Sequence, residues 1–143
     1  MKKCIFVGPS QAGKTSLIQA LNDQTLTYKK TQEVIHAATT IDTPGEYVER
    51  RFFYAALVSS AQDADLVAFV HHCNAPQGFY SPAFACGFNR PVIGILTKVD
   101  LAENEEQIER AKKHLQQAGA TQIFMTSSVE RTGIEELRAF LEE

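Results

Sequence analysis

The chain has 143 residues, 44% of them hydrophobic, and a formal net charge of −3 at neutral pH. This size predicts one compact domain over residues 1–143. The slight acidity and the short, scattered basic pairs argue against a nucleic-acid-binding surface, and no apolar run approaches the about 20 residues that cross a bilayer. The three cysteines are widely spaced and odd in number, which predicts reduced, buried thiols in a cytoplasmic protein.

Short apolar segments alternate with longer segments of helical periodicity, a pattern typical of a mainly parallel sheet with helices on both faces. Strands are predicted at residues 3–7, 39–42, 65–71, 92–96 and 121–125, with a weak edge strand near 33–36, and helices at residues 14–22, 48–61, 103–118 and 134–142. The predicted fold class is therefore α/β, a three-layer sandwich with a sheet of five or six strands.

The segment 8–15 reads Gly-Pro-Ser-Gln-Ala-Gly-Lys-Thr and fits the pattern G-x-x-x-x-G-K-[ST] between a predicted strand and a predicted helix. Such a loop wraps a phosphate with its backbone N–H groups, which side chains at the two glycines would obstruct. Lys14 is expected to bridge the β- and γ-phosphates, and the Thr15 hydroxyl to bind Mg²⁺. The residues expected to bind nucleotide here are Gly8, Ser10, Gln11, Ala12, Gly13, Lys14, Thr15 and Ser16.

Asp42 ends the next predicted core strand and opens the run Asp-Thr-Pro-Gly. A carboxylate at this place can hold a water of the Mg²⁺ shell, because Mg²⁺ keeps several waters and takes few protein ligands. The Gly45 N–H could then reach the γ-phosphate. Read alone, the same four residues are also a common turn sequence.

The run Thr97-Lys98-Val99-Asp100 follows a buried strand, at the edge where open α/β sheets bind ligands. The Asp100 carboxylate could accept hydrogen bonds from N1–H and the N2 amino group of guanine, a donor pair that adenine lacks. Lys98 would lie over the base and ribose, and a backbone N–H in Ser127-Ser128-Val129 could donate to guanine O6. The alternative is a surface turn in which Asp100 caps the following helix.

These motifs and the closing segment 132–137 resemble the translation-factor-related GTPases over nearly the whole chain. Segments 28–32, 41–47 and 91–98 more closely resemble the EutP/PduV family of ethanolamine- and propanediol-utilisation proteins. The resemblance implies the P-loop nucleoside-triphosphatase fold, with GTP or GDP and Mg²⁺ as cofactors. It also implies an association with bacterial microcompartments, whose shell or enzymes would be partners at the microcompartment surface.

The chain departs from the related GTPases between Lys14 and Asp42 and at Glu46, among other places. The stretch between Lys14 and Asp42 is short, and Thr31 is the candidate to complete the Mg²⁺ shell, with Thr25 and Thr27 as rivals. Glu46 stands where Ras-like proteins keep the glutamine that orients the attacking water. Because its carboxylate adds negative charge beside the γ-phosphate, slow intrinsic hydrolysis is expected, with Lys14, Thr31 and Glu46 as the catalytic residues.

Two further segments allow more than one interpretation. Residues 75–89 combine prolines and glycines with four aromatic side chains, which predicts either a short irregular helix packed inward or a docking surface. The run His71-His72-Cys73 could hold a soft metal, although adjacent strand residues point to opposite faces and no fourth ligand accompanies them.

The sequence therefore predicts a Mg²⁺-dependent guanine-nucleotide-binding protein that hydrolyses GTP slowly. One alternative is a kinase that transfers the γ-phosphoryl group to a short-chain carboxylate such as acetate, with ATP as a possible donor. The other is a nucleotide-bound adaptor that docks through residues 79–88.

Overall fold

The computed structural model describes residues 3–8, 14–21, 35–36, 40–42, 54–73, 84–127, 130 and 132–142. Its strands are β1 (Cys4–Val7), β2 (Ile35–His36), β3 (Thr40–Asp42), β4 (Leu66–His72), β5 (Val92–Thr97) and β6 (Ile123–Met125). Its helices are α1 (Lys14–Leu21), α2 (Tyr54–Ala61), α3 (Glu105–Ala118) and α4 (Ile134–Glu142), and short 3-10 helices cover Phe84–Gly87 and Val99–Leu101.

The described strands form one sheet in the order β2-β3-β1-β4-β5-β6. Every neighbouring pair is parallel except β2 and β3, which run antiparallel at the edge. The inner strands β1 and β5 are buried along their whole length. Continuous burial of this kind requires cover on both faces of the sheet, and it explains why these strands read as unbroken apolar runs.

Alternate residues of each strand pack against different pairs of helices. On one face, Ile5 and Val7 pack with α2 and α3 through the buried residues Leu57, Ala61, Ala111, Leu115 and Ala118. On the other face, Cys4 and Phe6 pack with α1 and α4 through Leu17, Ala20, Leu21, Ile134, Leu137 and Leu141. The predicted α/β sandwich, with helices on both faces of a mainly parallel sheet, is confirmed.

Helix α3 begins at Glu105 rather than at the predicted residue 103, because Asn104 caps it. The Asn104 side chain accepts a hydrogen bond from the Gln107 N–H at 3.0 Å. The Gln107 side chain in turn accepts from the Glu103 N–H at 3.0 Å, so each residue satisfies a free amide at the helix start. The predicted stop at Gly119 is confirmed, since this glycine has a left-handed φ of 112°.

Helix α2 and the strands differ slightly from their predicted bounds. The predicted helix 48–61 is described from Tyr54 onward, and residues 48–53 lie outside the described residues. Strands β4 and β5 each extend one residue further than predicted, through His72 and Thr97. Because the two added residues pair with each other, both strands reach the same level at the carboxyl edge.

The described part of the aromatic segment packs inward. Phe88 is fully buried, and its ring centroid lies 5.6 Å from that of Phe69 in an edge-on contact. Phe84 is half-buried at 5.4 Å from the same ring. The inward prediction is confirmed for these two residues, whereas Phe79 and Tyr80 lie outside the described residues. Phe84 packs against the core, which favours the inward interpretation, and a docking surface over residues 79–88 stays a prediction.

The end of α1 is held by a side chain from α4. The Arg138 guanidinium donates to the carbonyls of Leu21 at 3.0 Å and Ala20 at 3.1 Å, and also pairs with Glu135 at 2.7 Å. Helix α1 has no basic residue in its own last turn. Arg138 therefore supplies the positive group that a helix carboxyl terminus favours.

Candidate nucleotide site

The predicted phosphate-binding residues begin where the central strand β1 ends. Gly8 follows β1 directly and is buried, and α1 begins at Lys14. Ser16 is buried in the first turns of α1, next to the core residue Leu17. The strand, the intervening loop sequence and the helix therefore occur in the order that a phosphate-binding loop requires.

Asp42 lies on the strand next to β1. It is the last residue of β3, and its backbone pairs with Phe6, two residues before Gly8. Parallel strands end at one edge of a sheet, which places the Asp42 backbone and the end of β1 side by side at the carboxyl edge. The side chains of Lys14, Thr15 and Asp42 are not among the described parts of the chain. Other predicted site residues fall wholly outside them: Ser10, Gln11, Ala12, Gly13, Thr31, Gly45, Glu46, Ser128 and Val129.

At the other half of this edge, two loops meet through a side-chain hydrogen bond. The Ser127 hydroxyl donates to the Asp100 carboxylate at 2.7 Å. Ser127 is fully buried, and its oxygen also accepts from the Glu130 N–H at 3.1 Å. A residue 27 positions away in the sequence thus fixes the Asp100 carboxylate through a hydrogen bond.

This contact removes the capping alternative for Asp100. Helix α3 is capped by Asn104, while Asp100 lies within the preceding 3-10 helix. The Ser127 N–H donates to the Thr132 carbonyl at 3.0 Å, so this amide is already engaged. If a backbone amide reads guanine O6, Ser128 and Val129 are the remaining candidates of the predicted three.

Backbone contacts fasten the same two loops together. The Thr126 N–H and hydroxyl both donate to the Leu96 carbonyl, at 2.7 and 2.8 Å. The Val99 N–H donates to the Thr126 carbonyl at 3.2 Å. Both connections join the ends of β5 and β6, which lie side by side because these two strands pair in the sheet.

Lys98 has an unusual backbone conformation between these contacts. Thr97 before it is buried at the end of β5, and Lys98 itself has a left-handed φ of 58°. Its carbonyl accepts from the Leu101 N–H at 2.9 Å and from the Cys73 thiol at 3.0 Å. Neither the left-handed turn nor the thiol contact is signalled by the motif Thr97-Lys98-Val99-Asp100.

Two adjacent histidines at the end of β4 have different surroundings. The His71 ring stacks on that of His114 in α3, with centroids 6.2 Å apart, and its Nδ1 lies 2.8 Å from the His72 carbonyl. Burial lowers the pKa of His71 to about 4, with the charges of His72 and His114 acting in the same direction and the carbonyl contact against it. Burial and the nearby Lys98 charge lower the pKa of His72. His71 is therefore neutral at physiological pH.

A soft-metal site at His71-His72-Cys73 gains no support from this arrangement. The Cys73 thiol points to the Lys98 carbonyl and the His71 ring lies against α3. Across the described ranges, no three histidine, cysteine or carboxylate side chains converge on a point that could hold a metal ion.

Comparison with known proteins places this chain in a family. A family model for PduV-EutP, described as "Ethanolamine utilisation - propanediol utilisation", matches residues 1–143. The chain belongs to the PduV-EutP family. This membership confirms the resemblance seen in the sequence motifs.

Individual relatives of the family agree over nearly the full length. The chain is 48% identical to "Propanediol utilization protein PduV" of Citrobacter freundii, over 99% of this chain and 93% of that protein. It is 31% identical to "Probable acetate kinase EutP" of Escherichia coli K12, over 99% of this chain and 89% of that protein. This PduV-EutP protein is thus matched from one end to the other by both branches of its family.

A more distant relative connects the family to GTPases. "GTPase Era" of Bradyrhizobium diazoefficiens is 27% identical over 99% of this chain and 53% of its own length. Together with the observed sheet order, this likeness identifies the fold as that of the P-loop nucleoside triphosphatases. No helix among the described residues of this PduV-EutP protein is long and apolar enough to cross a membrane.

Proposed function

We propose that this PduV-EutP protein binds a guanine nucleotide with Mg²⁺ at the carboxyl edge of its sheet and hydrolyses GTP slowly. The observation that carries the proposal is the Ser127 hydroxyl held 2.7 Å from the Asp100 carboxylate. A buried donor restricts the movement of the Asp100 carboxylate, and an acceptor held in place favours a base with two neighbouring donors, such as guanine.

Guanine selectivity follows from the donors and acceptors on each side. Asp100 would accept from guanine N1–H and the N2 amino group, because a carboxylate has about four acceptor positions and Ser127 uses one of them. Two charge-assisted hydrogen bonds of about 1.5 to 3 kcal/mol each give a preference over adenine on the order of 10² to 10⁴. The same Lys98 side chain would cover the base and ribose.

The phosphate half of the proposal depends on the order of elements. Gly8 through Ser16 would cradle the phosphates, with Lys14 bridging the β- and γ-groups. Thr15, Asp42 and Thr31 would hold Mg²⁺, directly or through its waters, and the ion would offset the phosphate charge. The Asp42 backbone beside β1 and the α1 start at Lys14 fit that assignment.

Hydrolysis would fall to Lys14, Thr31, Glu46 and the Gly45 N–H. Lys14 would stabilise charge on the phosphates, and Glu46 would accept a hydrogen bond from the attacking water. The Glu46 carboxylate also repels the γ-phosphate, which is the reason that turnover should be slow.

The direct test compares the affinities of the purified protein for GDP and ADP by isothermal titration calorimetry with Mg²⁺ present. We expect GDP to bind more tightly by a factor on the order of 10² to 10⁴. Asp100→Asn should move the preference to xanthosine diphosphate, since an amide can donate to xanthine O2, whereas Asp63→Asn on the exposed surface should change nothing. Equal or tighter ADP binding would contradict the proposal.

A second candidate function is suggested by the printed name of the EutP relative, "Probable acetate kinase EutP". In that reaction an acetate oxygen attacks the γ-phosphorus, the bond from that phosphorus to the β-phosphate oxygen breaks, and the products are acetyl phosphate and the nucleoside diphosphate. Either GTP or ATP could donate the phosphoryl group. The short stretch between Lys14 and Asp42 is compatible with an acceptor entering beside the γ-phosphate.

The kinase candidate is tested by following nucleoside diphosphate and acetyl phosphate while acetate is added. Methanesulfonate at equal concentration is the control, because it matches the charge of acetate but is a poor nucleophile. A steep rise with acetate and formation of acetyl phosphate would favour the kinase. A flat response would leave hydrolysis as the activity.

The family also suggests where the protein acts. We infer that the protein is cytoplasmic and associates with microcompartment shell proteins or enzymes. Co-purification with intact microcompartments from a strain induced by propanediol or ethanolamine would support this, and recovery only in the free fraction would oppose it.

A further inference from the structure

Cys73 lies directly behind the loop that carries Lys98 and Asp100. It follows β4, is buried with 2% of its surface exposed, and its N–H donates to the Thr97 carbonyl at 3.0 Å. Its thiol donates to the Lys98 carbonyl, also at 3.0 Å. One residue therefore holds two consecutive carbonyls of the strand end from which the loop departs.

The backbone at Lys98 needs such support. Its φ of 58° belongs to the left-handed region, which side chains other than glycine adopt only when the surroundings favour it. Lys98 lies between the end of β5 at Thr97 and the 3-10 helix that carries Asp100. A shift of the Lys98 carbonyl would therefore move the Asp100 carboxylate relative to Ser127.

The chemical state of Cys73 suits the role of a donor. Burial raises the pKa of the Cys73 thiol; the Asp100 charge acts in the same direction, while a backbone hydrogen bond and the Lys98 charge act against it. Only the protonated thiol can donate to a carbonyl, since a thiolate has no hydrogen to offer. The thiol therefore keeps its proton at neutral pH and can donate to the Lys98 carbonyl.

We propose that Cys73 is a positioning residue for guanine recognition, acting through the Lys98 carbonyl on the placement of Asp100. This inference rests on the proposed function of the site, because it concerns how the base is read. It assigns no contact between Cys73 and the nucleotide.

The experiment measures GDP and inosine diphosphate affinities for the full chain and its variants. Inosine lacks the N2 amino group, so the ratio of the two affinities reports how well Asp100 is placed for its second hydrogen bond. Cys73→Ala removes the donor, and we expect the GDP preference over inosine diphosphate to fall about two- to tenfold. Cys73→Ser keeps a donor and should restore the ratio to within about twofold of the parent.

Controls separate positioning from general loss of stability. Cys4→Ala removes another buried thiol, at the opposite end of β1 from Gly8, and should leave the ratio unchanged. Cys73→Val, which also lacks a donor but fills the volume, serves if the alanine variant does not fold. A merely structural role would weaken both nucleotides by the same factor.

The outcomes distinguish the two proposals. If the parent protein shows no preference for GDP over ADP, the proposed function fails and this inference falls with it. If the parent prefers GDP and Cys73→Ala keeps the full GDP-to-inosine ratio, only the inference about Cys73 is overturned. A ratio that falls equally in Cys73→Ala and Cys73→Ser also overturns it, because hydrogen-bond donation would then be irrelevant.

Discussion

The two halves of the carboxyl edge of the sheet are built in different ways. In the half around β1 and β3, the predicted phosphate-loop residues form one run of the sequence between the end of β1 and the start of α1, and Asp42 joins them from β3. In the half around β4, β5 and β6, the described contacts join residues 25 to 30 positions apart: Cys73 with Lys98, Asp100 with Ser127, and Leu96 with Thr126.

The phosphate loop is formed by residues that are contiguous in the sequence, whereas the base-binding half is formed by residues that strand pairing brings together. The phosphate half can be recognised from a run of eight residues, because spacing alone determines a loop lined with backbone N–H groups. The base half depends on side chains that become neighbours only after β5 and β6 pair. We therefore expect substitutions in the first half to affect all nucleotides alike, and those in the second to affect the choice of base.

The largest effect should come from Lys14→Ala. Losing two charge-assisted contacts, to the β- and γ-phosphates, should weaken GTP and inosine triphosphate equally, by a factor on the order of 10² to 10⁴. Lys113→Ala, on the exposed face of α3, is the matched control. Isothermal titration would check both variants, and a change in the ratio of the two affinities would break the proposed division between the halves.

Ser127→Ala should have the next largest effect, and it should fall on base selectivity. Without the hydroxyl, Asp100 loses the contact that holds its carboxylate in place before the base binds, so GDP affinity should fall about tenfold. Inosine diphosphate, with one fewer contact to Asp100, should lose less. Thr126→Val removes a neighbouring buried hydroxyl that contacts the Leu96 carbonyl instead, and should spare selectivity. Equal losses in the two variants would count against a specific role for Ser127.

A smaller effect is expected on stability at acidic pH, through the protonation of His71 near the end of β4. The pKa of His71 is about 4 in the folded chain, below its ordinary value of 6.5, so the unfolded chain binds the proton more readily. Stability from neutral His71 is present above pH 6.5 and is lost as the pH falls toward 4. Between pH 7 and 5 the free energy of unfolding should fall by about 2 kcal/mol from this group.

Urea denaturation at several pH values, compared between the parent and His71→Phe, isolates that contribution. Phenylalanine keeps a ring against His114 but cannot take a proton. The variant should lose less stability than the parent as the pH falls. Parallel curves for the two proteins would show that His71 is not the titrating group.

The smallest effect should come from Arg138, which connects α4 of the base half to α1 of the phosphate half. Arg138→Met removes the donors to the Ala20 and Leu21 carbonyls and should lower the free energy of unfolding by about 1 to 2 kcal/mol. Arg110→Met on the exposed face of α3 is the control. If thermal unfolding is equally affected in both variants, the cap on α1 contributes nothing specific.

The elements that could be predicted from the sequence also differ between the two halves of the carboxyl edge. Apolar runs predicted β1, β4 and β5 to within a residue, because strands buried on both faces leave little choice of residue type. The α/β fold and the family followed from those strands and the motifs. The start of α3 was missed, since the Asn104 cap competed with the acidic Glu103 as the first helical residue.

The contacts of the base half were not predictable in detail. The motif indicated Asp100 but not that Ser127 would use its hydroxyl there, because a backbone amide was the expected donor. The sequence offered Cys73 only as a candidate metal ligand or a buried thiol, since a buried cysteine usually acts as a small apolar residue and nothing in the motif indicates a contact with Lys98. The inward packing of Phe84 and Phe88 was one of two interpretations, and only the position of Phe69 in β4 decided it.

A backbone bridge between Ser127 and Thr132 closes the loop that follows β6. Its two ends are joined by the bridge, and Gly133 follows at a left-handed φ of 72°, where a β-carbon would collide with the Met125 carbonyl. Because the bridge joins the two ends of this loop, an insertion or deletion between them would move Ser127 away from Asp100. Differences in base recognition among proteins with this fold should therefore arise from substitutions within this loop and not from changes in its length.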